Sequence, residues 1–372
     1  MTKVKERLKA LDVLRGATIA AMILVNNPGS WSHIYPPLEH AAWHGWTFTD
    51  LIFPFFLFVV GVSIVLALQS KIEDPTQHRA LYKKIIRRTL ILFGLGLFLS
   101  GFPFFNLSTL RIPGVLQRIA VCYFFAALLF IHLRRKGLWT VTLVLLFGYW
   151  ALMAWYPVPG TGAGSLEKGA NFAAWIDQMV LSGHMWSATK TWDPEGIVST
   201  LPAIATTLFG VFTGMLFKST LSTEEKTIRL FVYGNGMIFV GLVWNLWLPI
   251  NKNLWTSSYA VFMSGMAMVI LGILTWWIDI RKQTRFTKPF IVYGMNAITV
   301  FVLSGLIGRL LYIIRWQDGS GTEVTLKGWI YHLLFTPWLS PVNASLAYAL
   351  TWVALSYAAM HWMYKRGVFL KV

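Results

Sequence analysis

Long apolar runs, each of about 20 residues and set apart by short charged or turn-rich segments, recur along the whole chain. They lie near 10–27, 48–69, 85–104, 113–132, 138–155, 197–217, 229–248, 257–279, 289–314 and 342–364. A helix of that length crosses a bilayer, so the pattern predicts ten transmembrane helices. A shorter apolar piece at 328–339 reads as either a re-entrant segment or an eleventh span. No run alternates polar and apolar residues as a membrane strand does, which argues against a barrel. The expected fold is all-α: a polytopic membrane protein with one domain over 1–372 and a long outer loop at about 156–195. Loops of that length are usually functional.

Composition agrees and adds an orientation. The chain is 56% hydrophobic and only 13% charged, against roughly 25% charged in soluble domains. With the N-terminus in the cytoplasm, the inner segments 1–9, 70–88, 133–137, 218–229, 280–288 and 365–372 hold most of the 32 Lys and Arg. The net charge of +17 therefore reads as the positive-inside bias, with both termini cytoplasmic, and not as a nucleic-acid footprint. Clusters such as Lys83-Lys84 with Arg87-Arg88 serve topology and contact with anionic membrane lipids first, an anionic cytoplasmic cofactor second. The apolar run Ala17 to Val25 could imitate a secretory signal, but Asp12 and Arg15 crowd it and Asn26-Asn27-Pro28 is no cleavage site. It is read as an uncleaved first helix. The 19 Trp and 13 Tyr suit interfacial belts. The one cysteine, Cys122, excludes an intrachain disulfide and a thiolate metal cluster. No internal repeat stands out, which counts modestly against an inverted-repeat transporter.

Ionisable groups at span mouths point to chemistry. The run HAAWHGWTFTD, His40 to Asp50, sets two histidines, Trp43 and a carboxylate at the mouth of the second helix. Asp50 suits a first-turn carboxylate at the positive end of the helix dipole, a partner that orients a histidine, or both. His40 and His44 are four apart, which permits a zinc pair, but no Glu follows in a metalloprotease pattern and no metal is expected. A histidine neutral near pH 7 is better suited to take a proton from an amine nucleophile. Asp12 and Arg15 are three apart on one helix face and pair with each other or a neighbour. In RIPGVLQRI, Gln117 and Arg118 enter a span behind Pro113-Gly114, where a fixed cation and an amide could hold a carbonyl, phosphate or carboxylate, or form an interhelical ion pair. Asp193 and Glu195 of WDPEG cap a helix or bind a cationic substrate, and Asn251 and Asn253 of NKNLW suit a sugar. Tyr293, Gly294 and Asn296 add polar groups to a turn near the inner face.

Together these strings resemble the heparan-alpha-glucosaminide N-acetyltransferase family of transmembrane acetyltransferases. The resemblance runs in order through LDVLRG, the Val25-Asn26 step, HAAWHG with TDLIFPFF, RIPGVLQR, DPEG, NKNLW and YGMN, across almost the whole chain. It implies transfer of an acetyl group from cytosolic acetyl-CoA to the amine of glucosamine or a terminal glucosaminide on the far side of the membrane. It puts the catalytic role on His40, as general base or acetyl carrier, with Asp50 as its orienting partner. The family's asparagine falls on Asn26 or Asn27, since this chain has Asn26-Asn27-Pro28 and a longer stretch before His40. Trp43, Gln117, Arg118, Asp193, Glu195, Asn251 and Asn253 become candidates for holding substrate, and Arg118, Tyr293 and Asn296 for holding acetyl-CoA. Because the chain begins almost at the first shared helix, it reads as a minimal core of a bacterial inner-membrane member. Exposed aromatic and small-residue faces suit a homodimer. On physics alone an amino-sugar transporter is the alternative.

Overall fold

The computed structural model describes residues 8–72 and 74–370 and is predominantly helical. Among the described residues the helices are α1 (Lys9–Asn26), α2 (Phe48–Ile72), α3 (His78–Gly101), α4 (Val115–His132), α5 (Arg135–Trp155), α6 (Phe172–Leu181) and α7 (Thr200–Lys218). They continue as α8 (Thr223–Trp244), α9 (Ser257–Leu274, running on as a π turn over Thr275–Ile280), α10 (Thr287–Met295) and α11 (Ala297–Ile313). A two-stranded antiparallel ribbon, β1 (Arg315–Gln317) with β2 (Glu323–Thr325), precedes α12 (Leu326–Leu334) and α13 (Pro341–Lys365).

Each of the ten apolar segments is helical, but six helices are long and apolar enough to cross a membrane: α2, α4, α5, α7, α8 and α9 with its π turn. A seventh results if α10 and α11 are one broken span, bent by 78°. Ten spans are therefore not reached by this measure, for visible reasons. α1 carries Lys9, Asp12 and Arg15, and α3 opens on Arg79, Lys83, Lys84, Arg87 and Arg88. α13 is diluted by Ser, Thr, Asn, Tyr and His. The piece at 328–339 holds only the nine-residue α12, about 14 Å long and too short for a hydrocarbon core of about 30 Å.

The chain divides into two compact units. The first comprises residues up to Ala41, Thr47–Phe53 and the stretch from Trp277 onward. In it α1 buries Leu11, Leu14, Ile19 and Ile23 and packs on α10, α11 and α13. Gly16 permits the closest approach: a Cβ there would stand 1.7 Å from the Phe290 carbonyl oxygen. Asp12 and Arg15 form the ion pair their spacing anticipates, at 3.2 Å. The chain leaving α1 is tied to the start of α13, with Gly29 N–H donating to the Ser345 carbonyl at 3.2 Å and the Tyr35 hydroxyl to Asn343 at 2.5 Å. That tether positions the segment leading to His40.

The second unit comprises Ala42–Trp46 and Pro54–Trp276. Its helices pack as α3 on α4, α4 and α5 on α7, α7 on α9, and α8 on α9. Glycines set the tightest crossing here too: on α2 and α7, Cβ atoms at Gly61 and Gly210 would meet the backbone oxygens of Thr207 and Phe58 at 1.9 and 2.1 Å. Small residues let helix backbones approach in this way. The long segment after α5 is folded, with α6 inside it and Val158, Phe172, Ala173 and Val198 buried against Tyr149 and Met153 of α5.

Candidate functional site

The first unit holds a histidine–carboxylate pair built on the N-terminus of α2. Thr47 precedes the helix, and Asp50, in its first turn, reaches back to accept from the Thr47 N–H at 3.0 Å. This is the returning half of a capping box, a side-chain acceptor for a donor at the helix start. The same oxygen accepts from the Ala41 N–H at 3.0 Å and the Thr47 hydroxyl at 3.2 Å. The Thr47 hydroxyl also donates to the Glu39 carbonyl at 2.5 Å, closing the loop on itself. The other oxygen, Oδ1, meets His40 Nδ1 at 2.6 Å. An ionised carboxylate only accepts, so Nδ1 carries the proton and Nε2 is the basic nitrogen. Asp50 is 1% exposed while the His40 side chain is 49% exposed. A buried, fully bonded carboxylate thus aims a half-open imidazole whose Nε2 has no partner among the described residues. Such an arrangement can accept a proton from a nucleophile or act as one itself. Of the two asparagines, Asn27 is committed, donating to the Ile23 carbonyl at 2.8 Å and to Ser304 at 3.2 Å. Asn26 ends α1, exposed, with its amide free among the described residues.

In the second unit, Trp43 donates to the Leu166 carbonyl at 2.9 Å, meets Trp192 edge-on at 5.1 Å and lies 5.5 Å below the Lys168 ammonium. It is a packing element of the outer loop. The Asn251 amide is fully buried, its oxygen accepting from Leu254 N–H at 2.9 Å and its nitrogen 3.4 Å from His44 Nδ1. Gly45, at φ +94°, donates to the Ile250 carbonyl at 2.7 Å, in a backbone conformation that favours glycine. Asn253 is half-buried, its side chain without a partner among the described residues.

Arg111, unassigned from sequence, organises the WDPEG turn. Its guanidinium meets Asp193 through two bonds, at 2.8 and 2.6 Å, and Glu195 at 2.6 Å. Asp193 and Glu195 thus have an internal cation, Arg111, as their partner in this structure. They do not cap α7, whose N-cap residue is Ser199. Burial works to raise the Glu195 carboxyl, but Arg111, Lys252 and Arg118 outweigh it and hold it below its ordinary value. Burial likewise works to lower Arg111, and the two carboxylates raise it instead. Asp177 of α6, also unforeseen, accepts from Ile197 N–H at 2.9 Å and Asp193 N–H at 3.3 Å. Burial pushes its carboxyl up to about 6 against those bonds. Gly196 is required beside it, because a Cβ there would fall 2.0 Å from its oxygen.

Arg118 is 2% exposed and donates to the carbonyls of Pro194 and Gly196, both at 3.0 Å, and to the Ser199 hydroxyl. Its plane lies 5.2 Å from the Trp255 ring. Among the described residues its partners are backbone carbonyls and a hydroxyl, with no interhelical ion pair. Gln117 is buried against Gly96 and Gly114, where a Cβ would stand 2.2 and 2.6 Å from its oxygen. Its Nε2 is buried without a partner. Tyr293 and Asn296, expected near acetyl-CoA, make internal hydrogen bonds in this structure. The Tyr293 hydroxyl donates to the Val353 carbonyl, and Asn296 donates to the Val368 carbonyl at 3.2 Å and accepts from Leu370 N–H at 3.1 Å.

A cavity of about 580 Å³ lies among the ends of α2, α4 and α7, half of its lining apolar and the rest Gln69, His132, Arg134, Lys218 and Ser219. Its chemistry suits phosphate oxygens. Among the described residues no three His, Cys, Asp or Glu gather as a metal site would require.

A family model described as heparan-alpha-glucosaminide N-acetyltransferase, catalytic, matches residues 7–242. That stretch contains His40, Asp50, Arg111, Arg118 and the WDPEG turn. The heparan-alpha-glucosaminide N-acetyltransferase of Homo sapiens is 30% identical over 351 residues, covering 80% of this chain and 52% of its own length. That of Mus musculus is 29% identical over 353 residues, covering 80% and 53%. The chain spans about half the length of these curated relatives.

Proposed function

The chain belongs to the heparan-alpha-glucosaminide N-acetyltransferase catalytic family, and from that premise we propose that it is a membrane-embedded enzyme moving an acetyl group from acetyl-CoA to the amino group of glucosamine or a terminal glucosaminide. The observation that carries the reading is the His40–Asp50 pair, at 2.6 Å, with its buried carboxylate and half-exposed imidazole.

His40 Nε2 takes the proton that the acceptor amine loses as its nitrogen forms the new amide bond, the acyl carbon's bond to the CoA sulfur breaks, and the imidazolium returns that proton to the departing thiolate. Asp50 keeps the proton on Nδ1 and stabilises the imidazolium that results, as an orienting carboxylate does in other histidine-based sites. One correctly placed base suffices for direct transfer in a ternary complex, which is preferred to an acetyl-histidine. Acetyl-CoA, when bound, supplies the activated acyl carbon. Arg134, Lys218 and His132 fit its phosphates, since they line one cavity. Asn26, in the same unit as His40 and with its amide free among the described residues, suits a hydrogen bond to sugar or carbonyl. The positive-inside pattern supports a reading in which the Arg134–Lys218 cavity faces the cytoplasm, at a bacterial inner membrane, and the acceptor meets the enzyme from the other side.

Release of CoA thiol from acetyl-CoA by the purified protein, with and without glucosamine, tests the proposal beside His40→Ala. Release that needs glucosamine and falls at least about 100-fold in the variant supports general-base transfer. Acceptor-independent release would point to an acetyl-enzyme or to hydrolysis. No release across a panel of amino sugars, together with glucosamine uptake into proteoliposomes, would replace the transferase with a transporter.

A further inference from the structure

A second cavity, of about 730 Å³, lies in the second unit between α5, α7, α8 and α9 and is untouched by the proposed chemistry. Its wall is almost wholly apolar, including Trp139, stacked on Phe212 at 4.2 Å, and Trp244 at the far end. Arg135 and Arg229 stand at one end, on the opening turns of α5 and α8. α5 and α8 are the least covered of the apolar helices, each 28% buried across its apolar window against 78% for α2.

We propose that this groove is a specific site for an anionic diacyl phospholipid, one acyl chain lying along α8 and the phosphate held by Arg135 and Arg229. Length supports the occupant. The rise from Arg229 to Trp244 is about 22 Å, more than the roughly 15 Å of one leaflet's hydrocarbon and less than the full core. Charge supports it as well. Arg135 is exposed and makes no ion pair among the described residues. Arg229 holds Glu225 at 2.7 Å, with both side chains about four-tenths exposed and able to turn to a second anion. Arg134 and Lys136 flank the same mouth in sequence and strengthen its pull on anionic headgroups. The adenine, phosphates and amides of a nucleotide thioester need polar partners along their length, which this wall does not offer. The neighbouring Arg134–Lys218 cavity meets that need better.

Gly236 provides a clean block. It lines the groove, and a Cβ built on it meets nothing within 4 Å, so a large side chain enters the groove and not a neighbouring helix. The test is native mass spectrometry of the delipidated protein titrated with phosphatidylglycerol or phosphatidylcholine. One phosphatidylglycerol is expected to stay bound per chain, about fivefold more tightly than phosphatidylcholine. Gly236→Phe is expected to abolish that retention, and Arg135→Gln to weaken it about fivefold. Equal retention of the two lipids, retention unchanged in both variants, or displacement of phosphatidylglycerol by free CoA would each overturn the site. Elution volume and helical circular dichroism check the folding of each variant, and the wild-type comparison of lipids decides alone if either fails to fold.

Discussion

Asp50 closes the first turn of α2 and holds the Nδ1 edge of His40 with the same carboxylate, so its substitution acts on helix and histidine together. Asp50→Asn keeps one acceptor oxygen but loses the charge that favours the productive tautomer. It is expected to lower kcat by about 100-fold or more with a smaller change in KM, measured on CoA release. Both residues were legible because they lie ten positions apart and carry chemistry a local string displays. Arg111 was not, since its partners Asp193 and Glu195 lie more than eighty positions away and only folding joins them. Arg111→Ala leaves two buried carboxylates without their cation and is expected to destabilise the fold by about 3 kcal/mol near neutral pH. Because Arg111 helps hold the Glu195 carboxyl low, that stabilisation is present above the unfolded glutamate value of about 4.3. It fades as pH falls through the still lower folded value. Thermal unfolding followed from pH 7 down to about pH 2 should show the two proteins converging only below the unfolded glutamate value of about 4.3. Arg111→Lys should not restore the loss, since an ammonium cannot reproduce the two-pronged contact with Asp193.

At the scale of elements, apolar length located every long helix, because a helix of this kind is defined by side chains that need not be in water. Ten spans are not confirmed, because charge or small polar residues dilute the run in α1, α3 and α13. The break between α10 and α11 falls inside the run 289–314 counted as one span, at the polar turn that Tyr293, Gly294 and Asn296 mark. Asn296 turns out of the helix there and its amide serves the segment from Val368 to Leu370. Helix contacts depend instead on which glycines face a neighbour. Gly61→Ala forces its Cβ to within 1.9 Å of a backbone oxygen on α7, and is expected to cost roughly 1–3 kcal/mol. Gly148→Ala, where a Cβ meets nothing within 4 Å, should be neutral or slightly stabilising in the same unfolding assay.

Across the whole molecule, the two units share no linker that composition could mark. Their boundaries fall inside α2 at Pro54 and inside the π turn after α9, between Trp276 and Trp277. Orientation is the property that composition speaks to most directly, and it is testable with single cysteines because Cys122 is buried. An impermeant maleimide on intact cells is expected to label Ala163→Cys in the outer loop and to spare Lys136→Cys, with both labelled after lysis. The reverse pattern would invert the topology.

What the sequence determined by itself was whatever depends on local residue statistics: helical class, membrane setting, charge bias, family and the His40–Asp50 string. Only the tertiary structure decided that Asp193 and Glu195 serve Arg111, that Arg118 pins the WDPEG backbone, and that α5 and α8 flank an apolar groove. Those outcomes depend on which distant surfaces meet. A buried charge must take whichever partner the packing brings within hydrogen-bond reach, and no spacing along the chain records that choice.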